Sequence, residues 1–132
     1  MHRIWCIHYV ICNKNMSDYE QELTEANELL SSEEYEKTLS ILLPMVKINV
    51  PGAIGLYGVM FQLGLGVKRD LTKAVELLSK AYELGDGTAA HNLGTIFGMG
   101  EDEIIKDLDK SKMYYRKAKE LGAQYAPDEF YK

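Results

Sequence analysis

Residues 52–122 read GAIGLYGVMFQLGLGVKRDLTKAVELLSKAYELGDGTAAHNLGTIFGMGEDEIIKDLDKSKMYYRKAKELG. The same pattern runs through this stretch twice. Ala53 aligns with Ala89, Gly58 with Gly94, Phe61 with Phe97 and Gly64 with Gly100, all 36 residues apart. Asp70 then aligns with Asp107, Lys73 with Lys110, Ala81 with Ala118 and Leu84-Gly85 with Leu121-Gly122, all 37 apart. The second copy therefore carries one extra residue in its middle loop. A period in this range marks units that stack side by side, each too small to bury its apolar face alone.

Each unit reads as two helices. In the first, helix A spans about 52–63, with Ala53, Tyr57, Gly58 and Phe61 on one face by the three–four spacing. Glycine inside a helix costs about 1 kcal/mol relative to alanine, so Gly58 predicts a closely approaching neighbour. The loop 64–69 holds two glycines that permit a tight turn. Asp70 is placed to cap helix B, 71–84, whose buried stripe is Ala74, Leu77, Leu78 and Ala81. Gly85 ends it. The second unit gives helix A at 88–99, with Ala89, Leu93, Gly94 and Phe97 inward. Asp107 caps helix B at 108–121, which turns Ser111, Tyr114, Tyr115 and Ala118 inward. Gly122 ends it. The longer loop loses the second glycine, and Ile104 and Ile105 are expected to tuck under the helices.

Upstream, residues 16–49 read as a degenerate first hairpin. Ser17-Asp18 with Glu20 and Glu22 marks a helix start, and Tyr19, Leu23, Ala26, Leu29 and Leu30 recur at helical spacing. That predicts a helix over 18–30. A second helix is expected over 33–47, with Ser31 or Ser32 as its cap. Pro44 inside it predicts a kink and not a break. Asn49 stands where the later units have glycine, and asparagine is the next-best residue for a left-handed turn. Downstream, residues 123–132 start a third helix A, with Ala126 and Phe130 in register, and predict a terminal cap kept soluble by Asp128 and Glu129.

Composition sets outer limits. With 132 residues the chain suits one domain. Hydrophobic residues at 46% and charged residues at 27% place it among ordinary globular proteins. The formal charge of -5 argues against nucleic acid as the main partner. Charge is uneven: eight acidic residues and no Lys or Arg occur from Met16 to Glu36, against six basic and two acidic ones from Lys106 to Lys119. Two solvated helix faces account for this, as do complementary ends or distinct partner patches.

Residues 1–15, MHRIWCIHYVICNKN, differ from all that follows. The apolar run is too short to span a bilayer and shows no small-residue cleavage site. Three readings stay open: a leader from an upstream start with Met16 as the natural one, a segment that docks on the repeats, or a membrane- or partner-binding arm. Both cysteines, Cys6 and Cys12, lie here, so no disulfide framework is expected to hold the repeats. A cytoplasmic location is expected, with the periplasm as the alternative. Cys6, His8 and Cys12 lack metal-site spacing. The acidic run Glu101–Glu103 lacks the order of a calcium loop, and Gly64-x-Gly66 lacks the context of a nucleotide loop. No metal or cofactor is expected.

The pattern resembles the Sel-one-like repeat, of the tetratricopeptide class. The residues that carry the likeness are Ala53, Tyr57-Gly58, Phe61, Gly64, Gly66-Val67, Asp70, Lys73-Ala74, Lys80-Ala81 and Leu84-Gly85, with their counterparts up to Leu121-Gly122. Ser111, where alanine is usual, and the missing glycine-valine pair of the second loop are departures that touch local packing only. The resemblance implies an all-α fold: a short right-handed solenoid of antiparallel helical hairpins. It implies an adaptor that binds a protein or peptide on its concave side, lined by the A helices, with no catalytic residues. The positions implied to face that groove are Gly55, Val59, Gln62 and Leu63 in the first unit and His91, Thr95, Gly98 and Met99 in the second. Glu22, Glu25 and Glu28 join them if the leading helix is in register. A bacterial immunity-type inhibitor, its acidic first helix over a basic active-site rim, is the alternative within this class. A self-associating structural protein that dimerises through an open stack end is another. A hydrolase would need a His–carboxylate cluster that the sequence does not offer.

Overall fold

The computed structural model describes residues 19–123, and these hold six helices and no strand. They are α1 (Glu20–Ser31), α2 (Tyr35–Lys47), α3 (Pro51–Leu63), α4 (Leu71–Glu83), α5 (Gly87–Met99) and α6 (Leu108–Glu120). Each packs on the next, giving three antiparallel hairpins in one stack. The expected leader, Ser17-Asp18 and the terminal cap beyond Ala123 lie outside the described residues.

The stack has two unlike sides. The A helices touch across units, α1 with α3 and α3 with α5. The B helices stay further apart: no Cα pair comes within 8 Å between α2 and α4 or between α4 and α6, and α4 meets α6 through the long side chains of Tyr82 and Tyr114. A pile whose A row is drawn together and whose B row is splayed curves toward the A row, so α1, α3 and α5 line the inner side.

Small residues draw the two helices of each repeat hairpin together, α3 with α4 and α5 with α6. A Cβ on Gly58 would stand 2.9 Å from Leu78 Cγ, and one on Gly94 would stand 2.8 Å from the Tyr115 ring and 3.1 Å from the Ser111 carbonyl oxygen. Each is the close approach that a mid-helix glycine predicts. Ala74, Leu78, Ala81, Ala89 and Leu93 are fully buried around these points, with Ile54, Phe61 and Phe97. A second cluster of Tyr19, Ala26, Leu42, Met45, Ala53 and Met60 joins the first hairpin to the rest. Tyr114 stacks on Phe97 at 5.8 Å and meets Tyr82 edge-on at 5.6 Å, so it belongs to the core as expected.

The repeated identities pair up in space. Asp70 and Asp107 accept at 3.0 Å from the amides of Lys73 and Lys110 and cap α4 and α6. The same two lysines lie over the rings of Phe61 and Phe97, at 4.7 and 4.3 Å. Both loops close alike, the Asp70 amide donating to the Phe61 carbonyl and the Asp107 amide to the Phe97 carbonyl. In the second loop Asp102 takes φ 53°, replacing Gly66 at φ 71°. The residue facing Gly94, Ser111, turns its hydroxyl onto the Gly94 carbonyl at 2.6 Å, so the hydroxyl is buried but satisfied.

Three local expectations need correcting. Neither Ser31 nor Ser32 caps α2: Glu34 stands at that position, Glu33 takes the turn at φ 61°, and Ser31 donates to the Asn27 carbonyl instead. Ile105 does not tuck under the helices. It is 84% exposed, and Ile104 alone packs against the core. The start of α5 is capped by Asp86, which accepts from the Thr88 amide at 3.1 Å, one residue upstream of where the helix was expected to begin. Elsewhere α2 runs through Pro44 unbroken, and Asn49 takes the expected left-handed turn at φ 60°.

Candidate functional site

Among the described residues, two recesses are lined mainly by side chains of the A row and its loops, with Leu71 at the start of α4 joining the first. Neither α3 (PGAIGLYGVMFQL) nor α5 (GTAAHNLGTIFGM) has a Lys, Arg, Asp or Glu. All the charge of these two units is on α4, α6 and the loops. An amphipathic surface helix would place charge outward, so two uncharged helices on an accessible side leave apolar surface open to a partner.

The first recess lies where α3 and α5 end, and its volume is about 390 Å3. Leu71 and Ile96, both nearly fully buried, form its floor. Leu63 and Met99 stand on its rim at 58 and 59% exposure. These two hold equivalent places in their units, so the rim is a repeated feature and not a lone apolar residue. Arg69 closes one wall. Its Nε donates to the Gln62 carbonyl at 3.2 Å, and its guanidinium reaches Asp102 at 2.8 Å and Glu101 at 2.5 Å. The ion pairs tie the loop of one unit to the loop of the next. They are about half-exposed, so they fix the loops' relative position more than they stabilise the fold. The side-chain carbonyl of Gln62 is buried in this wall without a hydrogen-bond partner.

The second recess is smaller, about 160 Å3, and lies between α1, α3 and α5. Leu23 and Asn27 of α1 face Gly55, Leu56 and Val59 of α3, with Asp86 and Thr88 at the start of α5. Asp86 lies directly against Gly55: any Cβ there would collide with Oδ2. Burial pushes the Asp86 carboxyl above its ordinary range, against the lowering effect of the Thr88 and Ala89 amides.

The groove positions therefore divide. Gln62, Leu63 and Met99 come together in the first recess, and Gly55 and Val59 in the second. Gly55 is not a solvent-facing position: it is buried under Asp86. His91 and Thr95 are half-buried against α6. The His91 ring lies 5.1 Å from that of Tyr115, and the Thr95 hydroxyl is 3.0 Å from the Tyr115 hydroxyl. Burial holds His91 below the usual imidazole range. Gly98 faces Ser111. The first helix is in the row, but in another register from the one expected. Leu23 and Asn27 enter the recess, while Glu25 and Glu28 are exposed and Glu22 is half-buried. Sequence reasoning missed Arg69, Leu71, Ile96, Glu101 and Asp86. For Asp86 a signal was present, an aspartate just ahead of an apolar helix.

Among the described residues no three His, Cys, Asp or Glu side chains gather to hold a metal, and no helix there is long and apolar enough to cross a membrane.

Comparison with known proteins places this geometry in a family. A family model, the Sel1 repeat, matches residues 52–86 and 87–122. The structure is similar to a crystal structure of a Sel1 repeat protein from Oxalobacter formigenes, with a TM-score of 0.64 and 31% sequence identity. The match covers 74% of this chain and 40% of that one, so this chain spans well under half the length of that relative. No curated protein sequence matches significantly. Sel1 repeats generally mediate protein–protein interaction. With both repeats matched in register and the hairpin stack reproduced, the chain belongs to the Sel1 repeat family.

Proposed function

We propose that this protein is a non-catalytic adaptor that binds a protein or peptide partner along the row formed by α1, α3 and α5. The observation that carries the reading is the repeated apolar rim. Leu63 and Met99 are each more than half exposed and share the rim of one recess, whose floor is Leu71 and Ile96 and whose charged wall, Arg69 with Glu101, is paired within itself. A lone exposed apolar residue is ordinary, but a pair framing a concave recess is the pattern of a contact site. An extended segment or a partner helix presenting apolar side chains at regular spacing fits such a row.

The test is affinity capture from the native host with the parent protein and with a Leu63→Ser/Met99→Ser variant. Both side chains are largely solvated, so the variant is expected to melt within about 2–4 °C of the parent. A partner retained by the parent and lost by this variant supports the reading. A partner retained equally by both places the contact elsewhere.

The acidic α1 favours one second reading, an inhibitor that covers the basic rim of an effector enzyme. It predicts capture of a single enzyme in stoichiometric amount and loss of that enzyme's activity in the complex. Several unrelated captured proteins would refute it.

A further inference from the structure

The distribution of charge along the inner row says what kind of partner the row takes. α1, α3 and α5 together carry four charged residues, Glu20, Glu22, Glu25 and Glu28, and no Lys or Arg. Every Lys and Arg of the described residues lies on α2, α4, α6 or a loop. Asp86 adds a further negative charge, and it is the one set into a recess. Its Oδ1 accepts from the Thr88 amide, and Oδ2 lies over Gly55. Among the described residues no cationic side chain comes within ion-pair distance of either oxygen. Asn27 and Thr88 supply polar groups beside the carboxylate, and Leu23 and Val59 supply apolar walls. By helical spacing Glu20 falls on the same side of α1 as Leu23 and Asn27, one and two turns away. A partly desolvated carboxylate without a cation, between apolar walls and with Glu20 on the same side of α1, is complementary to the head of a lysine or arginine. The stems of those side chains pack on apolar surface while the head makes its ion pair.

Resting on the adaptor reading, we infer that the partner segment is cationic: apolar residues lie along the A row, and a Lys or Arg seats in the recess between α1, α3 and α5 against Asp86. Glycine at position 55 is then part of the site, because any side chain there displaces the carboxylate. The pair gains from desolvation, since a cation brought beside a half-buried carboxylate is screened less than one on the open surface.

The test uses two labelled synthetic peptides of equal length and equal leucine and alanine content, one carrying lysines and the other glutamates. Binding to the full chain is followed by fluorescence anisotropy at low and at physiological salt. The lysine peptide is expected to bind and the glutamate peptide not to. Asp86→Asn keeps an equally good helix cap and is expected to weaken the lysine peptide about tenfold, in line with one charge-assisted contact. Glu76→Gln on the exposed face of α4 removes the same unit of charge and is expected to change affinity less than about twofold. Unfolding midpoints show that both variants remain folded.

Equal effects of Asp86→Asn and Glu76→Gln, or equal binding of the two peptides, overturn the inference. So does failure of the lysine peptide to bind at low salt. If Leu63→Ser/Met99→Ser abolishes lysine-peptide binding while Asp86→Asn leaves it intact, the row binds peptides and the cation seat is wrong. If binding survives both, the row itself is wrong. Mass in light scattering that rises with concentration, and falls back in Asp86→Asn, would seat the basic α6 of a second copy there and overturn the foreign partner.

Discussion

Gly94 is the position at which the stack is most directly testable. A Cβ built there stands 2.8 Å from two carbons of the Tyr115 ring and 3.1 Å from the backbone oxygen of Ser111. The ring can turn, because Tyr115 is only half-buried. The carbonyl cannot, since it belongs to α6. That helix is held through the Ser111 hydroxyl on the Gly94 carbonyl and the fully buried Ala118. Two terms oppose each other in Gly94→Ala. Removing a glycine from a helix interior contributes about 1 kcal/mol in favour of the fold. Forcing a methyl into a packed interface costs about 1–3 kcal/mol. The net expectation is a loss of about 0–2 kcal/mol. In Gly94→Leu the favourable term is nearly unchanged, while three more carbons must find room between α5 and α6. The loss then exceeds about 2 kcal/mol. For a domain of this size that lowers the melting midpoint by about 8 °C or more. The assay is thermal or urea unfolding followed by far-ultraviolet circular dichroism, with the urea slope confirming that the same surface is exposed on unfolding. A Gly94→Leu protein that melts with the parent would refute the close approach of α5 and α6, and with it the physical account of why this pattern makes paired helices.

Gly58→Leu is expected to behave in the same way, because Leu78 Cγ and Leu77 Cβ stand 2.9 and 3.3 Å from the missing Cβ and Leu78 is fully buried; a silent substitution in denaturant titration would count against it. Asp70→Ala and Asp107→Ala each remove a cap and are expected to lose about 1 kcal/mol in urea unfolding, with asparagine at either site recovering most of it. Arg69→Ala breaks both inter-loop ion pairs, yet the expected loss is under about 1 kcal/mol and shrinks in high salt, since the groups are about half-exposed. Asp86 has its folded-state pKa raised by burial, so the folded chain holds that proton more tightly than the unfolded one. Its contribution is therefore largest below the unfolded value of about 4 and is lost as pH rises through the folded value. Asp86→Asn should match or exceed the parent's stability at pH 7 and lose that advantage in acid, a crossover that melts at several pH values would show. His91 is lowered by burial, so the unfolded chain takes its proton first. Stability falls as pH drops through about 6.5, and His91→Asn should flatten that part of the profile.

How much of this was legible beforehand follows from what each residue depends on. The glycines, the two capping aspartates and the alanine ladder act through their own backbone or through the neighbouring helix, and spacing alone identifies them. The phenylalanine–lysine pairs were visible as aligned letters, but their contact across a loop was not. Exposure along the A row is only half legible. Leu63 and Met99 are exposed, as equivalent positions in two like units facing the same way should be. Gly55 was misplaced because its surroundings come from Asp86, which belongs to the next unit and enters only when the units stack. Ile105 was misjudged because the extra residue of its loop shifts it by one position relative to a core that accepts Ile104 alone. Arg69 gave no local sign at all. Its partners lie more than thirty residues on, and pairing over that distance is a property of the assembled pile.

The two interfaces of the stack differ in a way that bears on where a partner can enter. Positions that pack between helices repeat faithfully: Ala53 and Ala89, Gly58 and Gly94, Phe61 and Phe97. Positions on the inner row do not. Gly55 becomes His91, Val59 becomes Thr95, and Gln62 becomes Gly98. In the first unit the small residue at 55 leaves space that the carboxylate of Asp86 partly fills. In the second, the residue in the place of Asp86 is Ala123, which is buried, and the bulk moves to the ring of His91 against Tyr115. The same backbone geometry thus gives an acidic recess at one interface and an imidazole packed on a phenol at the next. If the inferred seating holds, a partner meets one carboxylate seat and not two, so the inference calls for a single cationic residue in the partner and not a periodic run of them. The apolar rim is the exception to the divergence, Leu63 and Met99 being alike in size and exposure. On that inference the repeated hydrophobic ledge would supply contact area, and the one unrepeated charge would supply register. Shifting a bound segment by one unit would keep the apolar contacts and lose the ion pair.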